Sequence, residues 1–435
     1  MTIEQRLQSL PVGKFHYRLL GLVGLGWLFD AMDTGLISFV LSSIGKEWML
    51  SSNELGWIIS AGFVGMALGA VYGGKLADLY GRKTVFAWTL VIYSVMTGLC
   101  AVAPNFFILI ICRVGVGIGL GAQLPVAVTL VSEYVPARVR GRFIVLLESF
   151  WALGWLLAAL ISYWFIPLFG WHMAFLIGAL PVLYVWVVYR YLPESLLFLV
   201  RKGKWEQARE YLSKIEKELG IEVAVLEHTQ THTTSSADSV SWKTLWTGAY
   251  RKKTAMLWMI WFGIVFSYYG IFTWLPTLLV EKGFDIVKSF EYVLMMILAQ
   301  LPGYFTAALC VEKWGRKITL ATFVLGAAIC AYFFGQSASN EEILAWGSLM
   351  SFFNLGAWGV LYTYTPELYP TDIRALGSGW AGAIGRIGGI LAPLVVAMMV
   401  DVYLDYIFVM FAVVMILLVW IVGWMGEETK GKTLE

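Results

Sequence analysis

Twelve stretches of this chain are apolar over about 20 residues, the length an α-helix needs to cross a hydrocarbon layer roughly 30 Å thick. They fall at roughly 17–43, 55–76, 84–104, 106–134, 143–166, 172–192, 255–280, 289–311, 318–336, 342–365, 374–400 and 403–425. Composition agrees: 59% of the 435 residues are hydrophobic and 14% charged, against roughly 25% charged in soluble domains. The fold class expected is an all-α membrane protein with twelve transmembrane helices. Six precede and six follow a polar interruption, so the organisation expected is 1–192, a linker at 193–253, and 254–435.

The linker opens with an amphipathic stretch, KWEQAREYLSKIEKELG, which predicts short interfacial helices, and continues as HTQTHTTSSADS, which reads as coil. Its His228 and His232 make no ligand set for a metal, and Cys100, Cys112, Cys310 and Cys330 fit neither a disulfide nor a metal framework. Most Lys and Arg residues flank the apolar runs on one side, which predicts cytoplasmic N- and C-termini. The net charge of +2 is not gathered into a patch, so nucleic acid is not an expected partner. The N-terminus lacks the short apolar core of a cleaved leader.

GKLADLYGRK at 74–83 recurs as LCVEKWGRK at 309–317, and SEYVPARVRG at 132–141 recurs as PELYPTDIRALG at 366–377. Asp78 pairs with Glu312 and Glu133 with Glu367 at one offset of 234 residues. Two motif pairs at one offset indicate a duplicated six-helix half, the parallel repeat of the major facilitator fold, whose substrate site lies near the midplane. In the first motif an acid ends one helix, Gly81 permits a tight turn, and Arg82 begins the next. This resembles the gate signature of that superfamily, with Leu79 where the signature usually has arginine. The switch residues expected are Asp78, Arg82, Glu133, Arg138, Arg142, Glu312, Arg316, Glu367 and Arg374, exchanging ionic partners as the halves rock.

Two nucleotide-like patterns carry no nucleotide chemistry. Gly426 to Thr433 fits G-x-x-x-x-G-K-[ST], but an apolar helix precedes it where a strand is required. Gly117, Gly119 and Ala122 imitate a dinucleotide fingerprint inside a membrane helix, where small residues serve close packing.

A charge at mid-bilayer costs from about 2.5 to more than 10 kcal/mol and marks a functional site with a partner to be named. Asp30 and Asp33 share one face of the first helix. Arg113 on the fourth lies about 10 Å below the outer surface and Asp33 about 15 Å, so the two are expected to pair. Separating them would change the carboxyl's proton affinity, which is what proton coupling requires. Glu148 is expected to pair with Arg138 or Arg142. Arg386 lies mid-helix with no acid near it in sequence, and a guanidinium there suits a substrate carboxylate. Trp151, Tyr268, Tyr269, Trp358 and Tyr362 fall at similar depth and suit a flat ring.

LGWLFDAMDTGLISF, LLESFWALGW, FSYYGIFTWLP, AWGVLYTYTPELYPTDIRALG and GRIGGILAPL together resemble the bacterial niacin transporters of the NiaP type. That group is similar in turn to synaptic vesicle glycoprotein 2 and the animal organic ion transporters. The resemblance implies uptake of nicotinate, assisted by protons, through a bacterial inner-membrane protein. It also implies that Trp151, Tyr268, Tyr269 and Trp358 are ligand contacts and Arg386 the anion-binding arginine. Asp33 and Arg113 resemble the acid and arginine of proton-coupled sugar porters. Tyr362 stands where the vesicle proteins carry an acid. LPESLLFLVRKGK and GEETKGKTLE look like the central-loop and tail segments of sugar porters.

The function expected is a monomeric secondary transporter importing nicotinate or a close aromatic monocarboxylate. Arg386, Trp151, Trp358, Tyr268, Tyr269, Tyr362 and Asp30 are expected at the substrate, and Asp33 with Arg113 at the proton step. A sugar–proton symporter is disfavoured by the few midplane amides, Gln123, Gln300 and Asn354. The other alternative is a non-transporting membrane receptor. No nucleophile with its base appears, so no catalytic residue, metal or cofactor is expected.

Overall fold

The structure, a computed structural model, describes residues 3–221, 241–248 and 250–430. Among these every regular element is a helix, and twelve helices are long and apolar enough to cross a membrane. They are α1 (Lys14–Trp48), α2 (Ser52–Tyr80), α3 (Arg82–Ala101), α4 (Phe106–Tyr134), α5 (Ala137–Phe169), α6 (Trp171–Tyr191), α7 (Arg251–Glu281), α8 (Ile286–Trp314), α9 (Arg316–Gln336), α10 (Asn340–Glu367), α11 (Leu376–Val400) and α12 (Tyr406–Met425). Several outrun their apolar stretch at one end, because a helix need not stop where hydrocarbon does.

Local chemistry sets the ends. Asn105 caps α4 by accepting from the Ile108 N–H at 3.1 Å, and Ser339 with Glu342 forms a capping box on α10. Helices also form in the interruption, at Leu196–Arg201 and Trp205–Glu218, as its amphipathic pattern predicts; His228 and His232 lie outside the described residues. All four cysteines are free.

The chain forms two compact units. The first holds Met1–Leu36, Val64–Leu157 and His172–Thr234; the second holds Ile37–Phe63, Ala158–Trp171 and Ser235–Glu435. Inside the first unit α2 and α4 meet backbone to backbone. A Cβ on Gly65, Gly69 or Gly121 would stand 2.2, 2.1 or 2.0 Å from the carbonyls of Val114, Ile118 and Met66. Two of the residues that imitate a dinucleotide fingerprint belong to the same packing, Gly117 touching Gly65 and Ala122 touching Gly73, while Gly119 packs on Tyr93 and Thr89 of α3.

Candidate transport site and gates

In the first unit, α1 carries Asp30 and Asp33 inward, both buried. Asp33 Oδ2 lies 3.6 Å from Nη1 of the buried Arg113 on α4. Its other oxygen accepts a 2.5 Å hydrogen bond from the Thr97 hydroxyl on α3. The expected pair therefore meets, but through one ionic contact just beyond hydrogen-bond length, without the parallel fork of a locked arginine–carboxylate pair. Arg113 Nε and Nη1 make no hydrogen bond. Tyr93, wholly buried on α3, sits in the field of both acids. On α6, Gly178 closes the far side, because a Cβ there would stand 3.8 Å from Asp33 Oδ1.

Glu148 on α5 departs from expectation. It is buried, forms no ion pair with Arg138 or Arg142, and interacts with the Trp27 indole. Six residues at 100° each turn Arg142 roughly 240° around the helix from Glu148, so the two leave on different faces. Trp27 in turn lies 5.0 Å, ring to ring, from Trp151.

In the second unit, rings from α7 and α10 make an aromatic wall. Trp261 stands edge-on to Trp358 (5.8 Å, 88°) and to Tyr362 (5.3 Å, 90°). Trp358 and Tyr362 stack at 5.7 Å and 28°. Tyr268 meets Trp358 at 5.8 Å and Tyr269 at 5.2 Å, and Tyr269 meets Phe63 at 4.5 Å. Trp261 is fixed by its indole N–H, which donates to the Thr365 hydroxyl at 2.9 Å; that hydroxyl donates to the Leu361 carbonyl at 2.7 Å. The buried groups beside or within these helices that make no hydrogen bond in the protein include the Trp358 indole N–H, the Asn354 amide nitrogen on α10 and the Gln300 amide on α8. Asn354 and Trp358 are one turn apart on one face of α10. Arg386 is half-buried on α11, next to Gly385, which packs on Trp261 and Val265.

Where α2 meets α3, Gly81 adopts φ 103° and turns Arg82 onto two acids. Arg82 Nη2 lies 2.7 Å from Asp78, and Nε lies 3.4 Å from Glu133. Where α8 meets α9, Gly315 adopts φ 90°, and Arg316 forms a two-point fork on Glu367 with both bonds at 2.8 Å. Each helix start is closed by a second acid. Glu194 accepts from the Lys83 N–H at 3.1 Å; Glu428 accepts from the Arg316 and Lys317 N–H groups at 2.8 and 3.1 Å. The Ser195 hydroxyl bonds Glu133, and the Thr429 hydroxyl bonds Glu367 at 2.6 Å.

These partners come from within the expected set of switch residues. Glu133 and Glu367 are met by Arg82 and Arg316, because the glycine turns fold the first residue of the following helix inward. Arg138 and Arg142 are exposed on α5, Arg374 donates to the Tyr369 carbonyl at 3.3 Å, and Glu312 is exposed.

Residues 25–435 match the family described as sugar (and other) transporter. The niacin transporter NiaP of Acinetobacter baylyi is 57% identical over 437 residues, which span 100% of this chain and 99% of that protein. The chain belongs to the sugar (and other) transporter family. A second relative, the putative niacin/nicotinamide transporter NiaP of Bacillus subtilis, is 47% identical over 96% of this chain and 98% of its own. Among solved structures, the xylose transporter XylE from E. coli in a partially occluded inward-open conformation superposes with a TM-score of 0.78. It covers 97% of this chain and 100% of its own at 18% identity, and so shows the shared major facilitator fold. As a member of the sugar (and other) transporter family the chain is an integral membrane transporter and not an enzyme.

In this transporter several residues that the site uses escape notice in the sequence. Thr97 and Trp27 are ordinary for a membrane helix; only their contacts with Asp33, Trp151 and Glu148 single them out. Trp261 carries a detectable signal, since it lies seven residues before Tyr268 on one face of α7. Glu194 and Glu428 carry a stronger one: they stand 234 residues apart, the offset of the repeat, followed by the hydroxyl residues Ser195 and Thr429.

Proposed function

We propose that this transporter imports nicotinate, or a close aromatic monocarboxylate, with protons by alternating access, as a monomer in a bacterial inner membrane with both termini cytoplasmic. The observation that carries the reading is the 57% identity, over essentially the full length of both chains, with a protein named as a niacin transporter. The chemistry of the two units supports it. The wall of Trp261, Trp358, Tyr268 and Tyr362 offers ring faces and edges to a flat heteroaromatic, and Trp358 adds a buried N–H without a protein acceptor. In this reading Trp151 and Trp358 take the two faces of the ring, Tyr268, Tyr269 and Tyr362 line it, and Arg386 receives the carboxylate through its two parallel donors. Asp30, buried on α1, is a further substrate residue in this reading.

For coupling, Asp33 alternates between the charged form held by Arg113 and Thr97 and a protonated form that no longer needs the arginine. The 3.6 Å contact separates with little lost hydrogen bonding, as a cycling pair requires. Asp78, Arg82, Glu133, Glu312, Arg316 and Glu367 act as gate switches, and Arg138, Arg142 and Arg374 serve as alternative bases in the other conformation.

Uptake of labelled nicotinate into proteoliposomes, with an inward proton gradient and competition by nicotinamide, benzoate and xylose, tests the proposal. Accumulation above equilibrium that nicotinate and benzoate suppress more strongly than nicotinamide is expected. Competition by xylose alone would replace the assignment with a sugar porter, and binding without uptake would make the protein a receptor.

A further inference from the structure

An apolar groove of about 330 Å³ runs between α7, α11 and α12, lined by Trp258, Met259, Phe262, Ile384, Val414 and Leu417 among others. Met259 and Leu417 are exposed, so the groove opens sideways from the helix bundle. It contains none of the residues assigned above to substrate, proton or gate. For a chain that spans a bilayer the medium at that face is lipid, and the groove offers an acyl chain a fitted seat.

The residues around its mouth define the headgroup. Arg251 and Lys252, both exposed, begin α7. Each precedes a groove residue, Trp258 and Met259, by seven positions, which puts them on the groove's face of the helix about 10 Å along its axis. Lys253 points elsewhere and is engaged by Glu427 at 3.2 Å. At the groove's end nearest the bases, Trp258 belongs to a tryptophan cluster. Trp258 stacks with Trp380 at 6.0 Å and 27°, Trp246 meets Trp258 edge-on at 5.0 Å, and Trp242 lies 5.9 Å from Trp380. Trp242 and Trp380 are exposed. Exposed tryptophan on a membrane helix marks the headgroup level. Along one helix face the order is therefore positive charge, interfacial tryptophan, apolar groove. An anionic phospholipid presents the complementary order: phosphate, glycerol ester, acyl chain.

We infer that this face binds one anionic phospholipid, with an acyl chain in the α7–α11–α12 groove and its phosphate on Arg251 and Lys252. Native mass spectrometry of the delipidated, purified transporter titrated with phosphatidylglycerol and with phosphatidylcholine of the same chains tests this. Two bases near a membrane surface predict a preference of about 30-fold for phosphatidylglycerol. Arg251→Gln/Lys252→Gln should reduce it to within about threefold while leaving nicotinate binding unchanged. Val414→Trp, which fills the groove, should weaken both lipids about tenfold, and Leu417→Trp repeats that arm if Val414→Trp fails to fold. Equal affinity of the wild type for the two lipids overturns the inference, as does a charge variant that keeps the full preference. Unaltered phosphatidylglycerol binding by the groove variants, or full displacement by equimolar inorganic phosphate, would show a phosphate site without a seated chain and overturn it too.

Discussion

Glu428 closes the first turn of α9 as Glu194 closes the first turn of α3: at a Gly-Arg-Lys helix start a carboxylate that follows the sixth helix of its half accepts main-chain N–H, from Lys83 for Glu194 and from Arg316 and Lys317 for Glu428. Neither start could hold a larger residue than glycine. A Cβ at Gly81 or Gly315 would lie 2.2 Å from Glu194 or 2.4 Å from Glu428, and both backbones are left-handed. Loss of this closure is equivalent to loss of a helix cap, so Glu428→Ala should destabilise the transporter by about 1–2 kcal/mol. Thermal unfolding in detergent measures the drop, and Glu428→Gln, which keeps an acceptor oxygen, should show a smaller one.

The same acid predicts a pH dependence. Partial burial opposes ionisation of Glu428, but the four N–H donors of Lys430, Arg316, Lys317 and Thr429 outweigh it and hold the carboxyl below the ordinary glutamate range. A depressed carboxyl contributes stability that is present above its unfolded pKa of about 4.3 and is lost as pH falls through the folded value. Undocking of residues 427–430, followed by hydrogen exchange of the α9 first turn, should therefore set in only at pH below about 4.3 and should disappear as a pH effect in Glu428→Gln.

Thr97 and Asp33 form one unit with Arg113. Asp33→Asn should keep nicotinate exchange but lose gradient-driven accumulation, because the amide cannot release a proton. Thr97→Val removes one hydrogen bond to the carboxylate, worth about 1.5–3 kcal/mol when charged, and should displace the pH midpoint of uptake while exchange continues. An unmoved pH profile in both variants would remove Asp33 from the coupling step.

Trp261 orients the aromatic wall through Thr365. Trp261→Phe and Thr365→Val each break the same indole–hydroxyl bond, so each should raise the KM for nicotinate severalfold, and the double variant should be little worse than either single one. Full additivity would show that the wall does not depend on this bond.

Gly121 faces the Met66 carbonyl at a distance that leaves no room for a methyl group. Gly121→Ala should cost about 1–3 kcal/mol by forcing α2 from α4, read as a lowered unfolding temperature, whereas Gly74→Ala, with nothing within 4 Å, should be nearly silent.

Much of this was legible in the sequence, for identifiable reasons. Apolar length reports spanning helices directly, and a repeated motif reports a duplicated half, so neither needs a partner residue to be known. Asp33 and Arg113 were legible as a contact because two buried opposite charges at one depth have few other solutions. Partner choice within the switch set was not legible: Glu133 and Glu367 have arginines nearer in sequence than Arg82 and Arg316, and only the left-handed turns at Gly81 and Gly315 decide between them. Neutral helpers such as Thr97, Trp27 and Thr365 were illegible because nothing in their own segments demands a partner; they matter only through the helix that arrives beside them.

The closure of α9 also bears on how the protein is made. Its first turn waits for Glu428, 112 positions downstream of Arg316, and the α3 start waits for Glu194, 112 positions beyond Arg82. During synthesis each six-helix half thus remains unlatched until the segment after its own last helix leaves the ribosome. Each half then carries the piece that seals it, so closure of the first half requires no residue of the second.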